Sequence, residues 1–323
     1  MKHYIIGLDI GGTTVKIGLI QLNGDIKEKW EIPTNTENQG LSIVTDVWES
    51  IEERLTKLNV QIDDILGIGV GAPGFINGDT GLVYEAVNIG WKNFELGKEF
   101  EKVSNLPVIV ENDANIAVLG ENWIGAGNRS QNVIAVTLGT GVGGGIITNG
   151  QVLNGENGTA GEIGHITVAH EGYRCNCGRV GCLETVASAT GIVRKAMDKI
   201  QDNPESLLAK HVNSGKDLTS KEIFDLAAAG DSISLEIIDE ISDLLGFVIS
   251  NLAIVINPSK VLIGGGVSKA GDFLIDKIDK AFKKYALPRI SNVCEIKLAK
   301  LGNDAGIIGA AFLVQQRLSD LKF

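Results

Sequence analysis

The chain has 323 residues, which fits about two domains of ordinary size, and its 44% hydrophobic and 21% charged content excludes the disordered and fibrous classes. Twenty-nine Lys and Arg against 40 Asp and Glu give a net charge of −11, so there is no broad basic surface for nucleic acid or an anionic membrane. Glycine is in excess, at 41 residues beside 6 prolines with no collagen period, and this implies many tight backbone turns.

The chain opens on a short apolar run over 4–8 that ends in Asp9-Ile10-Gly11-Gly12-Thr13-Thr14, then a second run over 15–21 and the turn dipeptide Asn23-Gly24. This pattern predicts strand, glycine turn, strand, hairpin turn and strand. A helical pattern follows near 43–58, then a buried strand over 65–70, a strand over 107–110 and a helix from Ala114 to about Ile124. Residues 133–138 are again apolar and β-branched, and lead through the glycine-rich stretch 139–145 to a strand over 146–148 and the turn Asn149-Gly150. The two stretches share one layout and predict an internal repeat. Helices are expected over 184–200, 219–229 and 232–252, a strand over 260–263 and a last helix from Ala305. Hairpins feeding alternating strands and helices, twice over, indicate an α/β protein of two related lobes.

No apolar run approaches the roughly 18 residues of a membrane span, since Ser250 and Asn251 interrupt even 247–256. The N-terminal apolar run meets Asp9 too soon for a signal peptide, so a cytoplasmic location is expected.

Gly139, Gly141 and Gly144 match the G-x-G-x-x-G dinucleotide fingerprint, but that fingerprint needs a helix after it and here the sequel is another strand. A P-loop is absent. Two glycine-rich hairpin turns remain, either as ordinary tight hairpins or as cradles whose N–H groups and Thr hydroxyls hold phosphate oxygens. Thr13, Thr14 and Thr140 within the turns, and Asp9 placed to hold Mg²⁺ through water, favour the phosphate reading.

Glu111-Asn112-Asp113-Ala114-Asn115 ends a strand and opens a helix. Asp113 is then either a helix N-cap or a carboxylate at the C-terminal end of a strand, where α/β sheets bind ligands. Cys175, Cys177 and Cys182 crowd into eight residues, with His165 ten residues before the first of them. In a reducing compartment such a set points to tetrahedral Cys₃His zinc rather than to disulfides, the alternative being inert thiols. Four protein ligands leave no open position, so the metal is expected to be structural. Glu162 and Glu184 flank this set, either beside the same pocket or as solvated surface acids. Gly71-Ala72-Pro73-Gly74 reads as a turn, and Cys294 as a small core residue of a late strand.

Asp9-Ile10-Gly11-Gly12-Thr13-Thr14-x-Lys16 together with Leu138-Gly139-Thr140-Gly141-Val142-Gly143-Gly144 resembles the two phosphate loops of the actin, hexokinase and heat-shock ATPase fold. Gly264-Gly265-Gly266-Val267-Ser268 resembles its adenosine loop. More narrowly, the chain resembles the ROK family of bacterial sugar kinases and repressors, nearest its Gram-positive-type glucokinases, from Asp9 to the 301–306 segment. The resemblance implies two lobes around a central cleft, residues 1–115 with the C-terminal helix 303–323 packing back on them, and residues 116–302 with the zinc loop. It implies an ATP-dependent hexokinase-type enzyme making glucose 6-phosphate, with Mg²⁺-ATP as donor and structural Zn²⁺.

By the same resemblance Asp113 is the general base toward the sugar hydroxyl, Asn112, Glu162, His165 and Glu184 contact the sugar, and Gly74 and Asn88 lie on a sugar-side loop. Asp9, Gly11, Gly12, Thr13, Thr14, Lys16, Gly139, Thr140, Gly141, Gly264, Gly265 and Gly266 contact the nucleotide. Phe75 departs from the family, which often has a second Pro there. The partners implied are small molecules only, with a homodimer or a dimer of dimers as the assembly. A kinase for N-acetylmannosamine, N-acetylglucosamine or fructose is the rival within the class. A sugar-responsive repressor is the rival outside it, disfavoured by the −11 charge and by the eight residues that precede Asp9, too few for a DNA-binding domain.

Overall fold

The computed structural model describes residues 2–318. Its first elements are β1 (Tyr4–Ile10), β2 (Thr14–Gln21), β3 (Ile26–Pro33), α1 (Ile43–Leu58), β4 (Ile65–Ala72), β5 (Phe75–Asn77), β6 (Leu82–Ala86), β7 (Trp91–Phe94), α2 (Leu96–Ser104), β8 (Val108–Asn112) and α3 (Asp113–Trp123). β9 (Val133–Leu138), β10 (Val142–Thr148), β11 (Gln151–Val152), α4 (Glu184–Ala187), α5 (Ala189–Asp202), α6 (Leu207–Asn213) and α7 (Ser220–Ala228) follow. The chain closes with α8 (Ser232–Ile256), β12 (Lys260–Gly264), α9 (Asp272–Tyr285), α10 (Pro288–Ser291), β13 (Glu295–Leu298) and α11 (Ala305–Leu318). Among the described residues no helix is long and apolar enough to cross a membrane.

The chain forms two compact units, the first made of the residues up to Gln131, 145–160 and the chain from Leu301 onward, the second of 132–144 and 161–300. The first unit extends past the expected 1–115 lobe because α3 packs on α11 and stays with it. Residues 319–323 of the expected C-terminal helix lie outside the described residues.

In the first unit the sheet order is β3-β2-β1-β4-β8, with β1, β4 and β8 parallel and β2 and β3 antiparallel. The period of two along a strand sorts its side chains between two helical layers. Ile6, Leu8, Ile68 and Val70 enter one core cluster with Val47 and Ile51 of α1. Gly7 and Gly69 point the other way, and a Cβ on Gly69 would stand 1.9 Å from the carbonyl oxygen of Ala310 in α11. Part of the glycine excess thus serves close packing of a helix on the sheet, where the composition implied turns. Truncating the fully buried Leu8 to Ala is expected to cost about 2–5 kcal/mol.

The second five-stranded sheet has the order β11-β10-β9-β12-β13, in which β9, β12 and β13 are parallel and β10 and β11 form an antiparallel hairpin. An antiparallel ribbon followed by parallel strands occurs in both sheets, which is the repeat expected from the two glycine stretches. The helices α5, α7, α8 and α9 pack with one another in the second unit.

Several expectations need correction. Gly143, Gly144 and Gly145 belong to β10, so the second turn is confined to 139–141. Neighbours pass close to two of them: a Cβ on Gly144 would meet the carbonyl oxygen of Gly161 at 2.4 Å, and one on Gly145 a side-chain carbon of Val118 at 2.7 Å. The helix expected over 184–200 is broken at Ser188, whose hydroxyl accepts the N–H of Gly191 at 3.0 Å and so caps α5. Cys294 is buried but precedes β13. The β5-β6-β7 sheet, α2, α6 and α9 had no counterpart among the expected elements, although the buried residues of α9 at 274, 275, 278, 281 and 282 follow a helical period.

Candidate active site

In the first unit three parallel strands bring their carboxyl ends to one edge. Asp9 is in register with Gly71, and Gly71 with Glu111, which puts Asp9 and Glu111 about 10 Å apart at ordinary strand spacing. Beyond Ile10 the chain turns tightly, with Gly11 N–H donating to Thr14 O at 2.9 Å. Thr34, next after β3, braces this turn: its hydroxyl donates to Gly11 O at 2.7 Å and its N–H to Thr13 O at 2.9 Å. Lys16 Nζ lies 3.4 Å from Asp9 Oδ2, and the same oxygen lies 2.6 Å from where a Cβ on Gly306 would stand, at the start of α11. Burial pushes the Asp9 carboxyl above its ordinary value of 3.8, against the pull of Lys16.

The strand end of β8 continues directly into α3. Asn112, not Asp113, is the N-cap: its side-chain oxygen accepts the N–H groups of Ala114 at 2.9 Å and Asn115 at 3.3 Å. Asn112 Nδ2 donates to Gly74 O at 3.1 Å, which ties the 71–74 turn to the helix start. Asp113 is the first helical residue and is exposed. Behind it the buried Glu111 carboxylate accepts from Asn112 N–H at 2.8 Å, Asn115 Nδ2 at 3.1 Å and Asn154 Nδ2 at 2.8 Å. A buried carboxylate is held this way only when its lone pairs are satisfied, and this one fixes the backbone that presents Asp113. Asn88 is exposed beside Gly12, its Cβ 3.6 Å from where a Cβ on Gly12 would stand, so it lies against the first glycine turn.

In the second unit Gly139 N–H donates to Gly141 O at 2.9 Å and closes the second turn. Glu184 Oε2 accepts Val142 N–H at 3.1 Å, and it stands 2.3 Å from where a Cβ on Gly141 would be, so only glycine fits under that carboxylate. Gly265 has φ +85 and a Cβ there would sit 2.5 Å from Leu138 O, which places the 264–266 loop beside the end of β9. Ser268 secures that loop, its hydroxyl donating to Gly265 O at 2.8 Å.

All four cysteines are free thiols, and the ligand atoms of His165, Cys175, Cys177 and Cys182 lie within 4.8 Å of one another. Cys177 Sγ and Cys182 Sγ are 3.6 Å apart, too long for a disulfide and near the edge of about 3.8 Å that a tetrahedron with zinc–sulfur bonds of about 2.3 Å requires. Cys175 Sγ is 3.6 Å from His165 Nδ1, so that nitrogen faces the sulfurs and Nε2 faces Glu162, whose Oε2 is 3.9 Å away. The donor set fits Cys₃His zinc. Burial pushes the Cys175 thiol up to about 12 and Cys182 upward, while hydrogen bonds from Arg179 bring the exposed Cys177 down to about 6. Arg179 also donates to His165 O at 2.7 Å.

Sequence reading missed the Glu111, Asn115 and Asn154 network, the Thr34 brace, and the grip of residues 184–190 on the second turn. A glutamate at the end of an apolar strand and a Ser-Ala-Thr after the cysteines were the available signals.

A family model described as the ROK family matches residues 5–317. The chain is 51% identical over 321 residues to a glucokinase of Halalkalibacterium halodurans, covering 99% of this chain and 97% of that one. A crystal structure of a ROK family glucokinase from Streptomyces griseus in complex with glucose and AMPPNP matches with a TM-score of 0.77 and 33% identity, over 97% of this chain and 99% of that one. A ROK family transcriptional regulator, a homologue of the E. coli MLC protein, matches with a TM-score of 0.86 and 29% identity, over 98% of this chain and 78% of that one.

Proposed function

The chain belongs to the ROK family, and from that premise we infer that it is an ATP-dependent kinase that phosphorylates glucose at the 6-hydroxyl. The observation that carries this reading is the 51% identity to a glucokinase over nearly the full length of both chains. Its fold is that of the actin and hexokinase-like ATPases, to which the structural relatives belong.

Asp113 accepts the proton of the 6-hydroxyl. It is exposed at the first position of α3, where its Oδ1 accepts the N–H of Ala114 at 2.8 Å, and a carboxylate can accept further hydrogen bonds. An ordinary, weakly basic aspartate suffices, because a loose phosphoryl-transfer transition state calls for late acceptance of the proton and for positioning above all. Asn112 steadies the sugar beside Gly74. Glu162 and His165 Nε2 are too far apart to bond directly, and both can turn to one sugar hydroxyl. Glu184 accepts one N–H at Oε2, and a carboxylate oxygen can accept a second bond, so it too can take a hydroxyl.

The N–H groups and Thr hydroxyls of the turns at 11–14 and 139–141 bind the phosphates, with Asp9 and Lys16 beside the first and residues 264–266 against the adenosine. Mg²⁺ bound with ATP supplies charge neutralisation between the phosphates. Zinc, when bound by His165, Cys175, Cys177 and Cys182, supplies a fixed tetrahedral node for the loop that carries His165. A homodimer or a dimer of dimers completes the proposal, and sedimentation measures it.

The test is an ADP-release assay over glucose, fructose, N-acetylglucosamine and N-acetylmannosamine. Glucose is expected to have the highest kcat/KM, and a 2-acetamido hexose preferred by an order of magnitude or more would replace this reading with that of an amino-sugar kinase.

A further inference from the structure

We propose that residues 184–190 are a strut that sets the second glycine turn for ATP from the cysteine knuckle, and that Thr190 is a positioning residue for the nucleotide phosphates. The proposal rests on the kinase reading and deepens it. Three hydrogen bonds tie the turn and the first residue of β10 to this segment. Ala189 N–H donates to Gly139 O at 2.8 Å, Thr190 Oγ1 donates to Thr140 O at 2.8 Å, and Val142 N–H donates to Glu184 Oε2 at 3.1 Å. Gly139 and Thr140 of the turn, and Val142 at the start of β10, are thus each tied to this segment through a different group.

The other end of the strut is built into the knuckle. Cys182 O accepts both the N–H of Thr185 at 2.9 Å and its hydroxyl at 2.7 Å. Leu183 N–H donates to Ile166 O at 2.9 Å, next to His165, and Cys175 Sγ lies 3.7 Å from Glu184 Oε1. A group of four ligands closed on zinc fixes Cys182 and Cys175 relative to His165, and the strut begins two residues after Cys182. The break at Ser188 has a function in this account. An uninterrupted helix over 184–200 would turn the N–H of Ala189 into its own ladder, whereas the extended Ser188, at ψ 165, frees that N–H for Gly139 O.

It follows that metal occupancy is read on the nucleotide side as well as on the sugar side, and that Thr190 matters to ATP although it is assigned no contact with substrate. Thr190→Val deletes the bond to Thr140 O, together with the 3.0 Å hydrogen bond between the Thr190 and Ser188 hydroxyls, with little change in shape. It is expected to raise the KM for ATP by about 2- to 10-fold, the worth of one hydrogen bond, with the KM for glucose unchanged. Thr190→Ser, which keeps the hydroxyl, is expected to restore the wild-type value. A merely structural defect would move both KM values or lower the melting temperature instead.

A second measurement does not need turnover: calorimetric titration with AMPPNP of the protein as purified and after stripping with a chelator. Stripping is expected to weaken AMPPNP binding in the wild type, and to weaken it less in Thr190→Val, where the strut is already cut. Thr190→Val with a wild-type KM for ATP, or equal weakening by the chelator in both proteins, overturns the proposal. A wild type that releases no ADP with any hexose sinks the kinase reading alone, since AMPPNP titration still decides the coupling. A wild type that binds no AMPPNP sinks both.

Discussion

The two glycine turns occupy equivalent places in sheets of like topology, yet they are held by different means. The first, at 11–14, is braced by Thr34, about twenty residues on and at the end of the same antiparallel ribbon. The second, at 139–141, is braced by residues 184–190, which the chain reaches only after passing through the cysteine knuckle. Each has a carboxylate beside it, Asp9 next to a lysine and Glu184 next to a backbone N–H. A repeated strand order therefore fixes where a glycine turn falls, while its rigidity depends on whatever later segment happens to grip it. The first turn is as stable as its own sheet, and the second depends on the loop that carries the Cys₃His cluster.

The largest expected effect belongs to neither turn and so calibrates both. Asp113→Asn should lower kcat by about 10²- to 10⁴-fold, as loss of a general base does, with AMPPNP and glucose binding retained. Retention of a tenth of wild-type kcat would reduce Asp113 to a helix-start residue. Next in size is Cys177→Ala, which opens the knuckle. Hydrogen exchange should show the amides of Val142 and Ala189 losing protection by roughly tenfold or more, while those of Gly11 and Thr34 keep theirs. Equal loss in both turns would erase the contrast between them. Metal analysis belongs with this experiment, and about one zinc per chain is the expected result for the donor set, the four ligands making one site.

Thr34→Val acts on the first turn alone. The hydroxyl bond to Gly11 O is lost while the backbone bond from Thr34 to Thr13 O stays, so the KM for ATP should rise by about 2- to 10-fold. The increase should be the same before and after chelation, in contrast to that of Thr190→Val. A dependence on zinc at Thr34 would mean that the two turns are not independently supported.

The strands of both sheets and the glycine turns were legible because a half-buried or fully buried strand writes its burial into alternating or continuous apolar runs, and turns demand glycine. The Cys₃His cluster was legible because few residue types bind metal and their spacing is conspicuous. What was not legible is how the pieces grip one another. Ser188 looked like one more helical residue, and only the N–H of Ala189 turned toward Gly139 O shows why the helix must break. The N-cap fell on Asn112 instead of Asp113 by one position, a difference that pattern cannot resolve. Gly143, Gly144 and Gly145 read as loop because glycine is rare inside strands, whereas at Gly144 and Gly145 neighbouring groups stand where a side chain would be.

The smallest expected effect tests what the first turn costs the fold. Asp9 is about one-fifth exposed, and burial raises its carboxyl above 3.8 in spite of Lys16 at 3.4 Å. A carboxyl raised in the folded state contributes stability that is fully present below pH 3.8 and is lost as the pH climbs through the folded value. At neutral pH the wild type therefore folds with an ionised group that would be better solvated in the unfolded chain. Asp9→Asn removes that charge, keeps the shape, and is expected to raise the melting temperature at pH 7 by no more than about 4 °C. The gain should shrink as the pH falls through the raised value of the folded carboxyl and vanish below pH 3.8, where folded and unfolded chains both carry the proton. On the proposed function the same variant should also lose activity with Mg²⁺-ATP, since that reading puts Asp9 beside the phosphates and their metal. A variant less stable than wild type at pH 7 would mean that the ion pair with Lys16 outweighs burial, and the first turn would then be reinforced by its charge.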